Sequence, residues 1–242
     1  MPLPAEAAPS YLWVPELPEA SGMVELSREE SHYLMRVCRA REGDGALATD
    51  GRGALARLRV ASVGERVRAE VESIERGLPD QARRRAWILC GAPEGQRADW
   101  LVEKLAELGV EAWQPIDCAR GHWRATAGTL ARWRRLAVAA LRQSRRRHLM
   151  EVREPVTLDL LAPGLPSGTA RWVADPDGRH GVESPAGLGC AIGAVGPASG
   201  FDGREKALLA ELKFEPICLS DARLRAETAA LAWAAWWAMG SA

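Results

Sequence analysis

The chain changes its hydrophobic period part-way along. Between Ala46 and Ile74 apolar and polar positions alternate by two: Ala46–Thr49 and Ala54–Val60 flank the turn Asp50-Gly51-Arg52-Gly53, and Val67, Ala69, Val71 and Ile74 mark a third run, Arg66–Ile74. A period of two belongs to strands with one buried face, so these runs predict a small β-rich domain of barrel type. Ahead of them, Ser27 with Glu30 reads as a capping box starting a short helix near Arg28. Gly77–Arg85 (GLPDQARRR) mixes glycine, proline and charge, and reads as a linker.

Beyond the linker, strand and helix patterns alternate. Strands are predicted at Ala86–Cys90, Ala112–Ile116, Arg171–Ala174, Leu188–Val195 and Glu215–Leu219, with Ser184–Gly187 in a loop. Helices are predicted at Asp99–Leu108, closed by Gly109, at Leu130–Arg147, at Gly203–Phe214, and from about Ala226 onward. The long helix carries Leu130, Trp133, Ala137, Ala140, Leu141 and Ser144 on one face and arginines elsewhere. Such alternation implies an α/β domain with a parallel sheet and helices on both faces. The expected organisation is residues 1–76, a linker at 77–85, and a second domain at 86–242.

Two strand–loop–helix junctions stand out in this second domain. In the first, Gly187, Gly189, Gly193 and Gly196 punctuate a strand that Pro197 stops, and Asp202 with Glu205 reads as a capping box opening the next helix. Glycine there implies close approach by something else, and a helix N-terminus suits a ligand held by main-chain N–H groups. The second junction, Leu219–Leu231 (LSDARLRAETAAL), opens the last helix. In an open α/β sheet a ligand belongs at such strand ends; ordinary glycine-rich loops are the competing reading. GRGALA at residues 51–56 fits a dinucleotide fingerprint formally, but lies between two strands, which excludes a nicotinamide enzyme on that ground.

Charge alters the picture more than composition does. The formal net charge is zero, yet Arg120, Arg124, Arg132, Arg134, Arg135, Arg142, Arg145, Arg146, Arg147 and Arg153 face one acid, Glu151, within a single segment. This asymmetry favours a polyanion-binding face over a solvated helix surface. Five dispersed cysteines without a CxxC pair argue for a reducing compartment and against a metal site. Met1–Pro18 has no secretory pattern, and the longest apolar stretch, Ala229–Met239, is too short to cross a membrane, so a cytoplasmic location is expected. Trp233, Trp236 and Trp237 stripe the last helix with more apolar area than one sheet face covers, which predicts a homodimer through that helix rather than ordinary core packing.

The two junctions also carry a resemblance. GPASGF (196–201) and LSDARLRAETAAL (219–231) resemble the GPEGGF and LGxRILRxETAAL signatures of the bacterial small-subunit ribosomal RNA uridine N3-methyltransferase (RsmE) family, within the SPOUT superfamily. Upstream, His32–Arg39 followed by Gly43-Asp44 resembles HxLxRVLR…GD, Lys104–Val110 resembles KATELGV, and Gln143-Ser144 with Arg146 resembles QSxR. These motifs occur in order over nearly the whole chain.

The resemblance implies a SPOUT-type open parallel sheet with a deep C-terminal trefoil knot, preceded by a PUA-like β-barrel. Periodicity encodes no knot, and connection rules disfavour one. It also implies S-adenosyl-L-methionine as methyl donor, ribosomal RNA or the small ribosomal subunit as partner, and uridine N3 as acceptor. Cofactor residues are then expected at Ala174, Gly196, Gly200, Leu219, Leu224 and Thr228. Arg225 would contact the uracil oxygens and Glu227 would orient it or help remove a proton, unless the two form only an ion pair at the helix start. RNA contacts are expected at His32, Arg36, Arg39, Arg120, Gln143, Arg145, Arg146 and Arg147. Departures from the pattern fall at Glu94, Arg142, Ala198, Ser199, Ser220 and Ala222, with Arg223 one residue beyond the arginine of the signature. They leave open a non-catalytic ribosomal RNA-binding or assembly protein of the same fold.

Overall fold

The structure is a computed structural model describing residues 9–77, 84–121, 126–183 and 189–240. Most of the linker, Arg124, Gly187 and the loop at 184–187 lie outside the described residues. The chain divides into two compact units: Met1–Leu78 with Leu141–Leu149, and Pro79–Ala140 with Met150–Ala242.

The first unit is a five-stranded sheet ordered β1-β3-β4-β5-β2. Its strands are β1 (Ser10–Trp13), β2 (Gly22–Glu25), β3 (Gly45–Thr49), β4 (Ala54–Ser62) and β5 (Arg68–Arg76). Strand β1 runs parallel to β3, whereas the other ladders are antiparallel. The alternation anticipated β3 to β5; β1 and β2, four residues each, are too short to impose a period. Ala56, Leu58 and Val60 of β4 point into a core shared with Leu12, Leu26, Leu34 and Val67.

Helix α1 (Arg28–His32) starts where expected and continues as a wider turn over Tyr33–Val37. Its capping differs from the sequence reading. The Ser27 hydroxyl accepts from the Glu30 amide at 3.1 Å, but the Glu30 carboxylate does not complete the box. It accepts instead from the Trp13 amide at 3.2 Å and from Arg142 at 2.7 Å.

Residues 141–149, assigned by pattern to the second domain, are stitched into this first unit. Thr49 Oγ1 and the Gly53 amide donate to the Arg147 carbonyl at 2.8 and 3.0 Å, and Tyr11 Oη donates to the Arg146 carbonyl at 3.0 Å. The turn at residues 50–53 is thereby held from outside as well as by its own Asp50 carboxylate, which accepts from Arg52 and Ala54 amides.

The second unit is a six-stranded sheet ordered β11-β9-β10-β6-β7-β8, with every ladder parallel. The strands are β6 (Arg85–Gly91), β7 (Ala112–Ile116), β8 (Glu151–Val152), β9 (Ala170–Arg179), β10 (Cys190–Val195) and β11 (Glu215–Ile217). The helices are α2 (Gln96–Leu108), α3 (Ala127–Ser144), α4 (Leu158–Leu161), α5 (Gly203–Glu211) and α6 (Ala226–Met239). Central strands β6 and β10 are buried along their whole length or nearly so, as a parallel sheet covered on both faces requires. One face packs Trp87, Leu89, Ile192 and Ala194 against Leu158, Leu161 and Leu209 of α4 and α5. On the other, α6 lies across β6 and β10 and against α2.

Helix α3 stops at Ser144 rather than Arg147, because Arg145 takes a left-handed conformation (φ 55°) that ends the helical path.

The tryptophan stripe of α6 requires a correction. Trp233 and Trp237 are 0% and 2% exposed within one chain, and all three indoles gather around Trp172 of β9 at 5.2 to 6.3 Å. The Trp233 ring lies where a Gly193 side chain would be, and the Arg84 guanidinium covers Trp237 at 3.8 Å. A bare glycine on β10 lets the helix sink far enough to cover Trp233 and Trp237, so these two rings are core rather than surface left over for a partner, while Trp236 stays half-buried.

Candidate functional site

The carboxyl ends of β9, β10 and β11 converge on a cleft of about 460 Å³. Its walls are the end of β9 (Ala174–Asp177), the loop leaving β10 (Val195–Phe201), the loop leaving β11 (Cys218 to Leu224) and the start of α6. This is the position at which open parallel sheets place their ligands, beyond the strand ends.

The β10 loop is shaped by its glycines. Gly200 adopts φ 73°, unfavourable for any residue with a Cβ, and its amide closes a turn on the Pro197 carbonyl at 2.8 Å. A Cβ on Gly196 would meet the Phe201 amide nitrogen at 2.8 Å and Gly200 backbone at 3.1 Å. The close approach expected of Gly196 is therefore made by the loop itself, which folds back so that its main chain lines the cleft. The loop then enters α5 through a complete capping box. Asp202 accepts from the Glu205 amide and Glu205 from the Asp202 amide, both at 2.8 Å. The other Glu205 oxygen accepts from the Ala119 amide at 2.8 Å, tying in the loop after β7.

Of the residues expected at a cofactor, Ala174, Gly196, Gly200, Leu219 and Leu224 line the cleft. Thr228 lies one turn into α6, exposed, and outside the lining. Arg225 is the residue capping α6, exposed between cleft residues Leu224 and Ala226. Glu227 is buried and absent from the lining, with Arg97 of α2 at 3.8 Å. The ion pair at the helix start is thus with Arg97 rather than Arg225, and Glu227 ties α6 to α2.

Three charged groups of the cleft escaped the sequence reading, Asp175, Asp177 and Lys206; a fourth, Arg223, stands out in the sequence only as one residue beyond the arginine of the signature. Asp175 and Asp177 continue β9 beyond the predicted end at Ala174, so strand-end position was the available signal. Lys206 lies on α5 and carries no local sequence signal. Its ammonium hydrogen-bonds Asp175 at 2.9 Å and holds that carboxyl below its usual range, helped by the Asp177 amide at 3.0 Å.

The departures in the two loops are absorbed by local hydrogen bonds. Ser199 Oγ donates to the Arg120 carbonyl at 3.1 Å, Ser220 Oγ accepts from the Ala222 amide at 3.1 Å, and Arg223 Nη2 donates to the Ala198 carbonyl at 3.0 Å. None of these residues has a positive φ, so each tolerates its Cβ.

The arginine-rich segment is less bare than its count implies. In the second unit Arg132 pairs with Asp99 at 2.6 Å, Arg134 with Glu154 at 2.8 Å and Arg153 with Glu151 at 2.7 Å. In the first, Arg142 pairs with Glu30 and Arg147 grips both Glu75 oxygens at 2.9 and 3.1 Å. Five of the ten arginines are thus paired with acids, and four of those acids, Asp99, Glu154, Glu30 and Glu75, lie outside the segment, where a count within it cannot see them. His32, Arg36, Arg39, Gln143, Arg145 and Arg146 are exposed on the first unit; Arg120 is exposed on the second, next to the cleft loop.

A family model described as an RNA methyltransferase domain matches residues 80–238, the whole of the cleft included. The chain belongs to that family. A second model, an RNA methyltransferase PUA domain, matches residues 26–72. Among RNA methyltransferase family relatives, ribosomal RNA small subunit methyltransferase E of Synechocystis is 29% identical over 217 residues, covering 85% of this chain and 69% of the relative. The Mycobacterium bovis protein of the same name is 27% identical over 231 residues, covering 90% and 87%. The Neisseria gonorrhoeae methyltransferase E crystal structure, bound to S-adenosyl methionine, superposes with a TM-score of 0.83 at 26% identity, covering 94% of this chain and 96% of the other.

Proposed function

We propose that this RNA methyltransferase family member transfers a methyl group from S-adenosyl-L-methionine to N3 of a uridine in small-subunit ribosomal RNA. The observation that carries the reading is the cleft: a glycine-shaped loop and a second loop at parallel strand ends, in a chain whose relatives are named small-subunit ribosomal RNA methyltransferases.

The residues suit the cofactor. About 460 Å³ lies within the ~300–1,000 Å³ of small-molecule sites. Val195, Leu219 and Leu224 offer apolar surface to a purine, and loop main chain offers donors and acceptors to its edges. When bound, the cofactor supplies an electrophilic sulfonium methyl. The protein must orient the uracil nitrogen in line with it and balance charge developing on the uracil oxygens as the imide proton leaves. Arg225, exposed at the start of α6, is assigned the oxygens. Glu227, held by Arg97, is assigned to fixing that helix start. His32, Arg36, Arg39, Gln143, Arg145 and Arg146 on the first unit, and Arg120 on the second, are assigned to RNA.

The reading extends to a deep C-terminal knot, a first domain of PUA-like barrel type, and action on cytoplasmic ribosomal RNA. No helix among the described residues is long and apolar enough to cross a membrane. A homodimer through α6 belongs to the same proposal on a changed footing. Trp233 and Trp237 face inward, but Trp236 is half-buried with Leu231, Ala232 and Ala235, and Ala238 and Met239 are exposed, so the outer face is apolar too.

The test is incubation of the protein with S-adenosyl-L-methionine and small-subunit RNA, free and in subunits, followed by nucleoside mass spectrometry. Three-methyluridine is the expected product. RNA binding without cofactor binding would sink the catalytic reading and leave the binding-protein one.

A further inference from the structure

The charged side chains of the cleft are two acids, Asp175 and Asp177, and two bases, Lys206 and Arg223. Lys206 and Asp175 satisfy each other at 2.9 Å. Arg223 is different. Its one hydrogen bond is to the Ala198 carbonyl at 3.0 Å, a neutral acceptor, and no carboxylate pairs with it among the described residues. A guanidinium carries five donors, so most of its capacity and all of its charge remain available. Arg223 belongs to the β11 loop and reaches the β10 loop, so its guanidinium lies where the two walls of the cleft meet.

We infer that Arg223 is the anion-recognition group of this cleft and takes the α-carboxylate of the amino-acid end of the cofactor. The inference rests on the cofactor reading above. No other charged side chain of the lining can do this task. Apolar side chains hold a nucleoside without regard to a distant carboxylate, the ammonium of Lys206 is already committed, and two acids repel one. A planar fork that presents parallel N–H groups matches a carboxylate better than a lysine does. Arg223 thereby selects a nucleoside bearing an amino acid over the bare nucleoside, and fixes which end of the cleft each part occupies.

Calorimetry with two ligands separates this role from simple bracing of the loops. S-adenosylhomocysteine carries the carboxylate; 5′-methylthioadenosine keeps the nucleoside and sulfur but lacks it. Arg223→Ala is expected to weaken S-adenosylhomocysteine about tenfold, the low end for a hydrogen bond to a charged group because the guanidinium is exposed. 5′-Methylthioadenosine should bind the variant as it binds the wild type, and Arg223→Lys should recover part of the loss. Equal weakening of both ligands would reduce Arg223 to a brace between loops, and no change in either would remove it from recognition; each overturns the inference while the cofactor reading stands. Wild-type protein that binds neither ligand overturns the cofactor reading itself, and this inference with it.

Discussion

Arg142 Nη1 lies 2.7 Å from Glu30 Oε1 across 112 residues of sequence, with the two side chains only 17% and 3% exposed. The same guanidinium stacks over the Tyr33 ring at 4.4 Å, and the other Glu30 oxygen holds the Trp13 amide. Arg142 departs from the family pattern, which has glutamate there. The departure forms an ion pair that joins the 141–149 segment to helix α1.

Removing Arg142 strands a buried carboxylate. Arg142→Ala should cost about 3 kcal/mol in urea unfolding, and Arg142→Glu more, since like charges would then meet. Burial pushes the Glu30 carboxyl up, and Arg142 pulls it back. Without Arg142 it rises further. A carboxyl raised in the folded state contributes stability below its ordinary value and loses it as pH climbs through the folded value. The deficit of Arg142→Ala should therefore be widest at neutral pH and shrink towards pH 4; a deficit that grows in acid would contradict this.

Gly193 and Gly196 should respond differently to added bulk. Gly193→Ala puts a methyl inside the space of the Trp233 ring, which should cost about 2–3 kcal/mol and shift indole fluorescence. Gly196→Val collides with the Phe201 amide and reshapes the loop lining the cleft. Loss of cofactor binding in calorimetry is expected, with RNA affinity kept.

Thiol chemistry offers a probe of the cleft. Cys90, Cys118 and Cys190 are buried, and burial with nearby acids pushes the Cys118 thiol up to about 12. Only half-buried Cys38 and Cys218 should react with Ellman's reagent in native protein at pH 8. Cys218 lines the cleft, so S-adenosylhomocysteine should protect one of the two. Protection of neither would place the ligand elsewhere.

Arginines already paired within the protein contribute less to RNA. Replacing Arg145 by Ala should lower the salt slope of RNA binding by ~0.7–0.9, the share of one phosphate contact. Adding Arg147→Ala should change it little, because Glu75 holds that guanidinium through two hydrogen bonds. A further full unit from Arg147 would mean that RNA displaces Glu75.

Periodic features were legible in the sequence and long-range pairings were not. The strand Ala112–Ile116, the Gly109 stop after α2 and the Asp202–Glu205 capping box follow from local spacing, and all three are present. The cleft walls at Gly196, Leu219 and Leu224 followed from motif order. What failed depended on partners remote along the chain. Glu30 leaves its own helix for Arg142, Glu227 turns to Arg97, and the indoles of α6 find room at a glycine some forty residues earlier. Asp175, Asp177 and Lys206 were missed because their place at the cleft depends on how far β9 runs and on a pairing across 31 residues.

The membership of Leu141–Leu149 in the first unit has a consequence for biosynthesis. A ribosome making this chain releases β1 to β5 long before the peptide that supplies the Arg147 carbonyl to Thr49 and Gly53. The nascent N-terminal sheet must wait, with its turn at residues 50–53 lacking those bonds, until most of the first half of the second unit has emerged. A gene fragment ending near residue 78 would encode every strand of that sheet and still yield an unfinished one.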